Sequence, residues 1–183
     1  YIAAGVYSDH ECSTFENALE KLRKGQFIMI REGTAAHNLK ALMPLLTQQY
    51  YSRCMFATDD KHPSDLLYGG HIDYIVKQAL KNGADPIVAL KTATHHAARY
   101  FLLNNKGAIA SGYLADIVVV DNLEDFNVET VFKRGKLVFD GEVKDFSAPT
   151  VDEKLAEKCF DTFHLDSVTP SSFKVDGKLG LIG

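Results

Sequence analysis

The sequence predicts an α/β protein built on a parallel sheet or barrel and followed by a smaller all-β part, and three observations lead to this prediction. The elements alternate strand, helix, strand, helix, strand, and each helix is long enough for a crossover connection. Two strands contain the continuous apolar runs of "QFIMIREG" and "RCMFATDD", which are typical of buried parallel strands. After Asn104-Asn105, β-branched strands and turns replace the amphipathic helices.

The first part of the chain supplies the alternating elements in order. A short strand is predicted around Val6-Tyr7, and Ser13 with Glu16 forms a capping-box pattern that predicts the start of a helix. The second strand is followed by "HNLKALMPLLTQQY", which predicts a helix that Pro44 either kinks or limits at its start. The third strand, "RCMFATDD", completes the βαβαβ order.

Two further helices and a hairpin are predicted downstream. The first helix lies in "GGHIDYIVKQALKNG" and ends at Gly83. The second begins at Asp85-Pro86, an N-cap followed by proline, and continues through "PIVALKTATHHAARYF". The segment "VFKRGKLVFDGE" predicts a hairpin that turns at Arg134-Gly135, and residues 151–163 predict a short helix.

The composition is that of an ordinary globular protein and argues against several classes of function. The formal net charge is −4 and no basic block is present, which argues against nucleic acid as the main partner. No apolar run is long enough to cross a bilayer, so no membrane span is expected. Cys12, Cys54 and Cys159 are far apart and form no CxxC pattern, which indicates a reducing, cytoplasmic compartment.

Charged side chains follow each of the three predicted strands. The first strand leads into Asp9-His10-Glu11, the second into Arg31-Glu32 and the third into Asp59-Asp60. Because the carboxyl ends of parallel strands point the same way, these side chains should meet at one rim, where barrel enzymes carry their active sites. Imidazole and carboxylate bind divalent ions that lower the pKa of bound water, and a nearby carboxylate can move protons. The pattern therefore predicts a hydrolytic metal site.

Simpler interpretations of the same residues stay open at this point. His10 could be an exposed loop histidine, and Asp60 could cap the next turn. Arg31-Glu32 could be a surface ion pair of little energetic weight. Cys12 could bind a soft metal, although a small buried thiol is the better interpretation. Asp116 in "YLADIVVV" is predicted to be structural.

Several segments of the chain together resemble the bacterial adenine deaminases of the amidohydrolase superfamily. These segments are "GVYSDHE", "MIREGTAAHNL", "MFATDDKHPSDL" and "GHIDYIVKQALKNGADPIVALKTAT". The later "KGAIASGYLADIVVVDNL" is similar to that superfamily's G-x-I-x-x-G-x-x-A-D-I-V signature. The resemblance implies the last three βα units of a metal-dependent-hydrolase (β/α)8 barrel over residues 1–104. It further implies a β-domain segment packed beside the barrel over 105–146, and a connector or the start of a C-terminal domain over 147–183.

The resemblance also implies roles for the charged strand ends. His10 matches the metal-binding histidine at the end of the family's sixth strand. Asp59 matches the carboxylate after the eighth strand that binds metal and transfers a proton, and Glu11 is assigned to catalysis. The residues expected to face the substrate are Arg31, Glu32 and Asp60.

The implied reaction is the metal-dependent hydrolysis of adenine to hypoxanthine and ammonia, a step of purine salvage. The family uses manganese or iron, often as a binuclear centre. Its H-x-H pair, bridging Glu and fifth-strand His have no counterpart here. We therefore expect a fragment that the N-terminal barrel half and a C-terminal domain of the same enzyme complete, in a cytoplasmic homo-oligomer. The alternatives are another amidohydrolase acting on a cyclic amide, which the "MIREG" segment would distinguish, and a non-catalytic interaction module.

Overall fold

The structure is a computed structural model in which most of the chain is described. The described residues are 1–144, 147, 150–160, 162–175 and 177. The chain divides into two compact units, Tyr1–Asp145 and Phe146–Gly183. The further division of the first unit near residue 104 stays a prediction.

A three-stranded parallel sheet opens the first unit, and the βαβαβ prediction is confirmed. The strands lie in the order β1-β2-β3. Their bounds are β1 (Ser8–Asp9), β2 (Phe27–Arg31) and β3 (Cys54–Ala57). Helix α1 (Phe15–Arg23) connects β1 to β2, and the short helix α2 (Leu39–Leu42) follows β2. The first strand lies directly after Val6-Tyr7, both of which are exposed.

The buried face of the sheet follows from alternation along β2. Ile28 and Ile30 are fully buried against the helices, whereas Phe27, Met29 and Arg31 on the other face are partly exposed. Successive strand residues point to opposite faces, so one face enters the core and the other carries Arg31 to the end of the strand.

Two helices differ from the sequence prediction at their ends. The N-cap of α1 is Thr14, whose hydroxyl accepts the N–H of Asn17 at 3.3 Å, so the capping box predicted at Ser13 is wrong by one residue. Helix α2 ends at Leu42 and passes into a 3₁₀ turn that contains Pro44. Proline has no N–H to donate and its ring clashes with the preceding turn, so the predicted long helix stops there.

Four helices lie between β3 and the next strand of the chain. They are α3 (Pro63–Gly69), α4 (Ile72–Lys81), α5 (Pro86–Ala93) and α6 (His95–Tyr100). The predicted N-cap of α5 is confirmed, because Asp85 accepts the N–H of Val88 at 3.0 Å. The single helix predicted beyond Pro86 is wrong: Thr94 leaves the helical region with φ −123° and ψ −74° and separates α5 from α6.

An antiparallel sheet completes the first unit. Its strands are β4 (Ile117–Val120), β5 (Val128–Lys133) and β6 (Lys136–Phe139). Arg134 and Gly135 both have positive φ, 52° and 79°, as a type I′ hairpin turn requires, so the predicted turn is confirmed. Phe126 and Val120 pack against the same core as the parallel sheet.

Asp116 ties this antiparallel sheet together. Its Oδ2 accepts hydrogen bonds from Lys106 at 2.8 Å and Lys133 at 2.7 Å, and its Oδ1 accepts the N–H of Arg134 at 2.9 Å. These hydrogen bonds hold the pKa of Asp116 well below its ordinary value. The residue therefore anchors the β5–β6 turn as a carboxylate, in agreement with its predicted structural role.

Replacing Asp116 by asparagine should destabilise the protein in a pH-dependent manner. Because the pKa is lower in the folded state, the carboxylate stabilises fully above its unfolded pKa, and this contribution is lost as pH falls through the folded pKa. The melting temperature of Asp116→Asn should lie below wild type near neutral pH, and the gap should narrow below about pH 4. Thermal unfolding followed by circular dichroism at several pH values measures this.

Asp140→Asn is the matched control for that experiment. Asp140 forms an exposed ion pair with Lys144 at 2.7 Å, and such surface pairs contribute little stability. Its variant should melt close to wild type at every pH. If the difference in melting temperature between Asp116→Asn and wild type stayed constant down to acidic pH, the assigned role of the carboxylate would be contradicted.

The second unit contributes short elements within the described residues. Helix α7 (Glu153–Phe160) confirms the helix predicted in this region with narrower bounds, and a 3₁₀ turn covers Pro170–Phe173. In the part of the chain that the structure describes, no helix combines the length and the apolar character needed to cross a membrane.

Candidate metal centre and active site

The carboxyl ends of the three parallel strands bring four predicted site residues together. One possible ligand atom from each of His10, Glu11 and Asp59 lies within 4.8 Å of the other two. Nε2 of His10 is 3.2 Å from Oε1 of Glu11. Arg31 donates to both oxygens of Glu11, at 3.1 and 2.7 Å, and also to Oδ2 of Asp59. We call these four residues the rim cluster.

Arg31 is the electrostatic centre of the rim cluster. Its side chain is only 13% exposed, whereas those of Glu11 and Asp59 are 65% and 33% exposed. Burial alone would lower the pKa of Arg31, but its hydrogen bonds to Glu11 and Asp59 outweigh burial and raise the pKa. The guanidinium therefore stays charged and offsets part of the negative charge. It binds Glu11 through two parallel hydrogen bonds and Asp59 through one.

Asp9 explains why an acid precedes the histidine at the end of β1. Its Oδ1 accepts the backbone N–H groups of Glu11 at 2.8 Å and Cys12 at 3.1 Å, while Oδ2 accepts Lys21 of α1 at 2.9 Å. Burial would raise the pKa of Asp9, but the hydrogen bonds from Lys21 and Cys12 lower it below the ordinary value. The ionised Asp9 thus builds the turn that presents His10 and Glu11.

Cys12 is a buried thiol that is not among the possible ligands of the rim cluster. It is 1% exposed, and its sulfur donates to Oδ1 of Asp9 at 3.2 Å. Burial, followed by the neighbouring Asp9 carboxylate, raises the pKa of Cys12 to about 11. Because the thiolate is the form that binds metals, this environment disfavours the soft-metal alternative.

Asp59 reaches the rim cluster through an unusual backbone conformation. Its φ is +53°, in the left-handed region, two residues after the end of β3. Aspartate tolerates this region better than most residues, and such conformations are frequent at functional sites. The conformation turns the chain sharply after Thr58, so Asp59 and Asp60 have entirely different partners.

Glu32 and Asp60 fold the loop after β2 instead of joining the rim cluster. Glu32 accepts the N–H of Leu39 at 3.0 Å and lies 3.0 Å from Nδ1 of His37. Since adjacent residues along a strand point in opposite directions, Arg31 and Glu32 have separate partners. The alternative of an ion pair between them is wrong, and the substrate-facing roles of Glu32 and Asp60 stay predictions.

Asp60 also makes glycine necessary in this loop. Its carboxylate accepts backbone N–H groups from three successive residues, at 3.1, 2.9 and 3.5 Å; they are Thr34, Ala35 and Ala36. Hydrogen bonds from these N–H groups, that of Ala35 first, lower the pKa of Asp60. A Cβ at Gly33 would lie 1.7 Å from Oδ1 of Asp60 and 2.8 Å from the carbonyl oxygen of Thr58. Any side chain there would displace Asp60.

Asn38 is the residue at this rim that sequence reasoning missed. It is 6% exposed, and its side-chain amide donates to the carbonyl oxygen of His10 and accepts the backbone N–H of Arg31. An asparagine before a helix ordinarily predicts an N-cap. Here its side chain caps nothing in α2, and the signal pointed to the wrong role.

The donor set of the rim cluster fits a divalent transition ion. One imidazole nitrogen and two carboxylate oxygens are ligands that manganese, iron and zinc all accept. His10 and Asp59, the residues predicted as ligands, are both members, and Glu11 contacts both His10 and Arg31.

A parallel βα sheet that carries imidazole and carboxylate donors at its strand ends is typical of barrel hydrolases. The model of the Amidohydrolase family matches residues 2–138, and the chain belongs to this family. A protein named "Adenine deaminase" from Kosmotoga olearia is 47% identical, with 84% of this chain and 29% of that protein covered. Its namesake from Thermosipho africanus is 53% identical over 75% of this chain and 24% of its own length.

The fold likeness extends to solved structures. A β-aspartyl dipeptidase from Fervidobacterium islandicum AW-1 matches with a TM-score of 0.60 and 27% identity, over 73% of this chain and 36% of that one. This chain spans less than a third of the length of the curated relatives cited above.

Proposed function

We propose that this chain forms part of a metal-dependent adenine deaminase, which converts adenine and water to hypoxanthine and ammonia. The observation that carries the proposal is the rim cluster, in which His10, Glu11 and Asp59 meet at the carboxyl ends of parallel strands. Relatives named adenine deaminase, 47% and 53% identical over most of this chain, support adenine as the substrate.

In this proposal His10 and Asp59 hold a divalent ion, manganese or iron, in a mononuclear or binuclear centre. The bound ion would act as a Lewis acid that makes water reactive near neutral pH. The remaining ligands come from the N-terminal barrel half of the same enzyme. We further propose a C-terminal domain, a homo-oligomer and a cytoplasmic location.

The residues of this chain move the protons and orient the reacting groups. Asp59 accepts a proton from the attacking water and delivers it to the amine as the carbon–nitrogen bond breaks and ammonia leaves. Arg31 holds the carboxylates of Asp59 and Glu11 in place through its forked hydrogen bonds. Glu11 is 3.2 Å from Nε2 of His10 and orients that ring.

Of the three residues predicted to face the substrate, Arg31 has a different role in this mechanism from Glu32 and Asp60. Arg31 is the one of the three predicted residues that lies in the rim cluster, so it is the direct candidate to contact adenine. Asp60 acts through the loop at residues 34–36, whose main chain it holds, and Glu32 acts through the side chain of His37 and the N–H of Leu39.

The test is to incubate the intact protein that carries this chain with manganese and three substrates in parallel. Adenine should give equal amounts of hypoxanthine, measured by chromatography, and ammonia. A dihydropyrimidine and β-Asp-Leu represent a cyclic-amide hydrolase and the activity of the structural neighbour, and neither should be consumed. Turnover of either compound without deamination of adenine would show that adenine is not the substrate. A protein that holds no stoichiometric metal and converts none of the three would favour the interaction module.

A further inference from the structure

We propose that Asn38 is a positioning residue that sets the distance between the His10–Glu11 turn and Arg31. The side chain of Asn38 spans the gap between β1 and β2 at the point where the strands stop pairing. The inference rests on the proposed function in so far as the rim cluster is a metal site, and its test needs no substrate.

The contacts of Asn38 join two separate strand ends. Its Nδ2 donates to the carbonyl oxygens of Cys12 at 3.0 Å and His10 at 3.3 Å. Its Oδ1 accepts the backbone N–H of Arg31 at 2.7 Å. The two carbonyl oxygens belong to the residues before and after Glu11. One buried amide therefore bonds to the main chain around Glu11 and to the main chain of Arg31, the two residues whose side chains contact each other.

These contacts replace sheet pairing that is missing at this place. The β1–β2 ladder contains only two registered pairs, Ser8 with Phe27 and Asp9 with Ile28. After Asp9 the chain leaves the sheet, whereas β2 continues to Arg31. The amide of Asn38 therefore holds the departing chain against β2 where the ladder does not.

The orientation of the Asn38 amide is dictated by its partners. Two carbonyl oxygens lie on one side and an N–H lies on the other, so only an amide with Nδ2 toward His10 and Oδ1 toward Arg31 satisfies all three. Aspartate has the same shape but would place an acceptor against two carbonyl oxygens.

The main chain of Asn38 is itself held firmly. Its N–H donates to the carbonyl of Arg31 at 3.0 Å, and its carbonyl accepts the N–H of Leu42 at 3.0 Å. The N–H of Leu39 is satisfied by Glu32 rather than by Asn38. The side-chain amide of Asn38 therefore does not cap α2, and the main chain that carries it is hydrogen-bonded to α2.

Gln26 offers a matched control at the opposite end of the same strands. It is also buried, at 5% exposure, and its Nε2 donates to the carbonyl oxygen of Val6 at 3.2 Å. Like Asn38, it joins the β1 segment to the β2 segment, but it precedes β2 and contacts no member of the rim cluster.

The experiment compares Asn38→Asp, Asn38→Ser and Gln26→Ala in the intact protein. Manganese affinity is measured by competition with a chelator, and hydrogen–deuterium exchange is measured on the peptides that contain Glu11 and Arg31. The Asn38 variants should bind manganese about tenfold or more weakly, as losses of outer-shell partners do. They should also exchange faster in both peptides. Gln26→Ala should lower the melting temperature while manganese affinity stays within about twofold of wild type.

Two outcomes would overturn the inference. The first is wild-type manganese affinity and exchange in both Asn38 variants. The second is a loss of manganese affinity in Gln26→Ala as large as that in the Asn38 variants. Such a loss would show that any loss of stability weakens metal binding. Asn38→Ser keeps a small hydrogen-bonding side chain in case Asn38→Asp does not fold. If the wild-type protein held neither manganese nor iron, the proposed function would fail, and the exchange rates would still decide whether Asn38 holds the two segments.

Discussion

Replacing Asp59 by asparagine in the intact protein is expected to reduce kcat/KM for adenine by about 10²–10⁴-fold, the usual contribution of a positioned acid–base group. Asparagine keeps the size of the side chain and accepts one hydrogen bond from Arg31, but it cannot take a proton from water. The left-handed backbone at this position, φ +53°, is also tolerated by asparagine. The loss should therefore appear in turnover rather than in folding.

Asp85→Asn provides the control for this substitution. The same replacement of a carboxylate by an amide is made at the start of α5, where the side chain of Asp85 accepts the N–H of Val88. Asparagine is an equally good N-cap, so activity and melting temperature should both stay near wild type. Normal turnover in Asp59→Asn, measured by hypoxanthine formation, would show that the assigned proton transfer is wrong.

Replacing His10 by alanine should remove both bound metal and activity. The substitution deletes the one imidazole donor of the rim cluster, while the Glu11–Arg31 and Arg31–Asp59 contacts do not involve His10. The main chain at this position is held by Asp9 and Asn38, so the turn should persist without the imidazole. Metal content by elemental analysis should fall below wild type, with adenine turnover reduced to background.

His95→Ala is the matched control for the metal measurement. The His95 ring contacts His96 on α6, with ring centroids 5.9 Å apart, and it is not a member of the rim cluster. Metal content and activity should remain at wild-type levels in this variant. Full metal occupancy with full activity in His10→Ala would contradict the assignment of His10 as a ligand.

Much of the fold follows from short-range patterns. Two of the parallel strands were predicted from continuous apolar runs, and the Arg134-Gly135 turn from the strand-like residues on either side of it. The rim cluster was predicted from one topological rule, since the carboxyl ends of parallel strands share an edge. His10, Glu11, Arg31 and Asp59 do meet there.

The errors arose at helix ends. Ser13 and Thr14 are both good N-cap residues, and α1 uses Thr14. The helix beyond Pro86 breaks at Thr94, where a Cβ on Gly107 would lie 3.1 Å from the carbonyl oxygen of Thr94. That close approach comes from a segment distant in sequence, and no local pattern could reveal it.

Local sequence therefore sets which elements form in this chain and at which edge its charged residues gather, because both depend on residue spacing and strand direction. Tertiary contacts decide which of those residues share the site. Arg31 and Glu32 are neighbours in sequence, yet one binds Glu11 and Asp59 while the other binds the start of α2. Hydrogen-bonding partners are assigned in three dimensions, where one residue of separation along a strand means opposite faces.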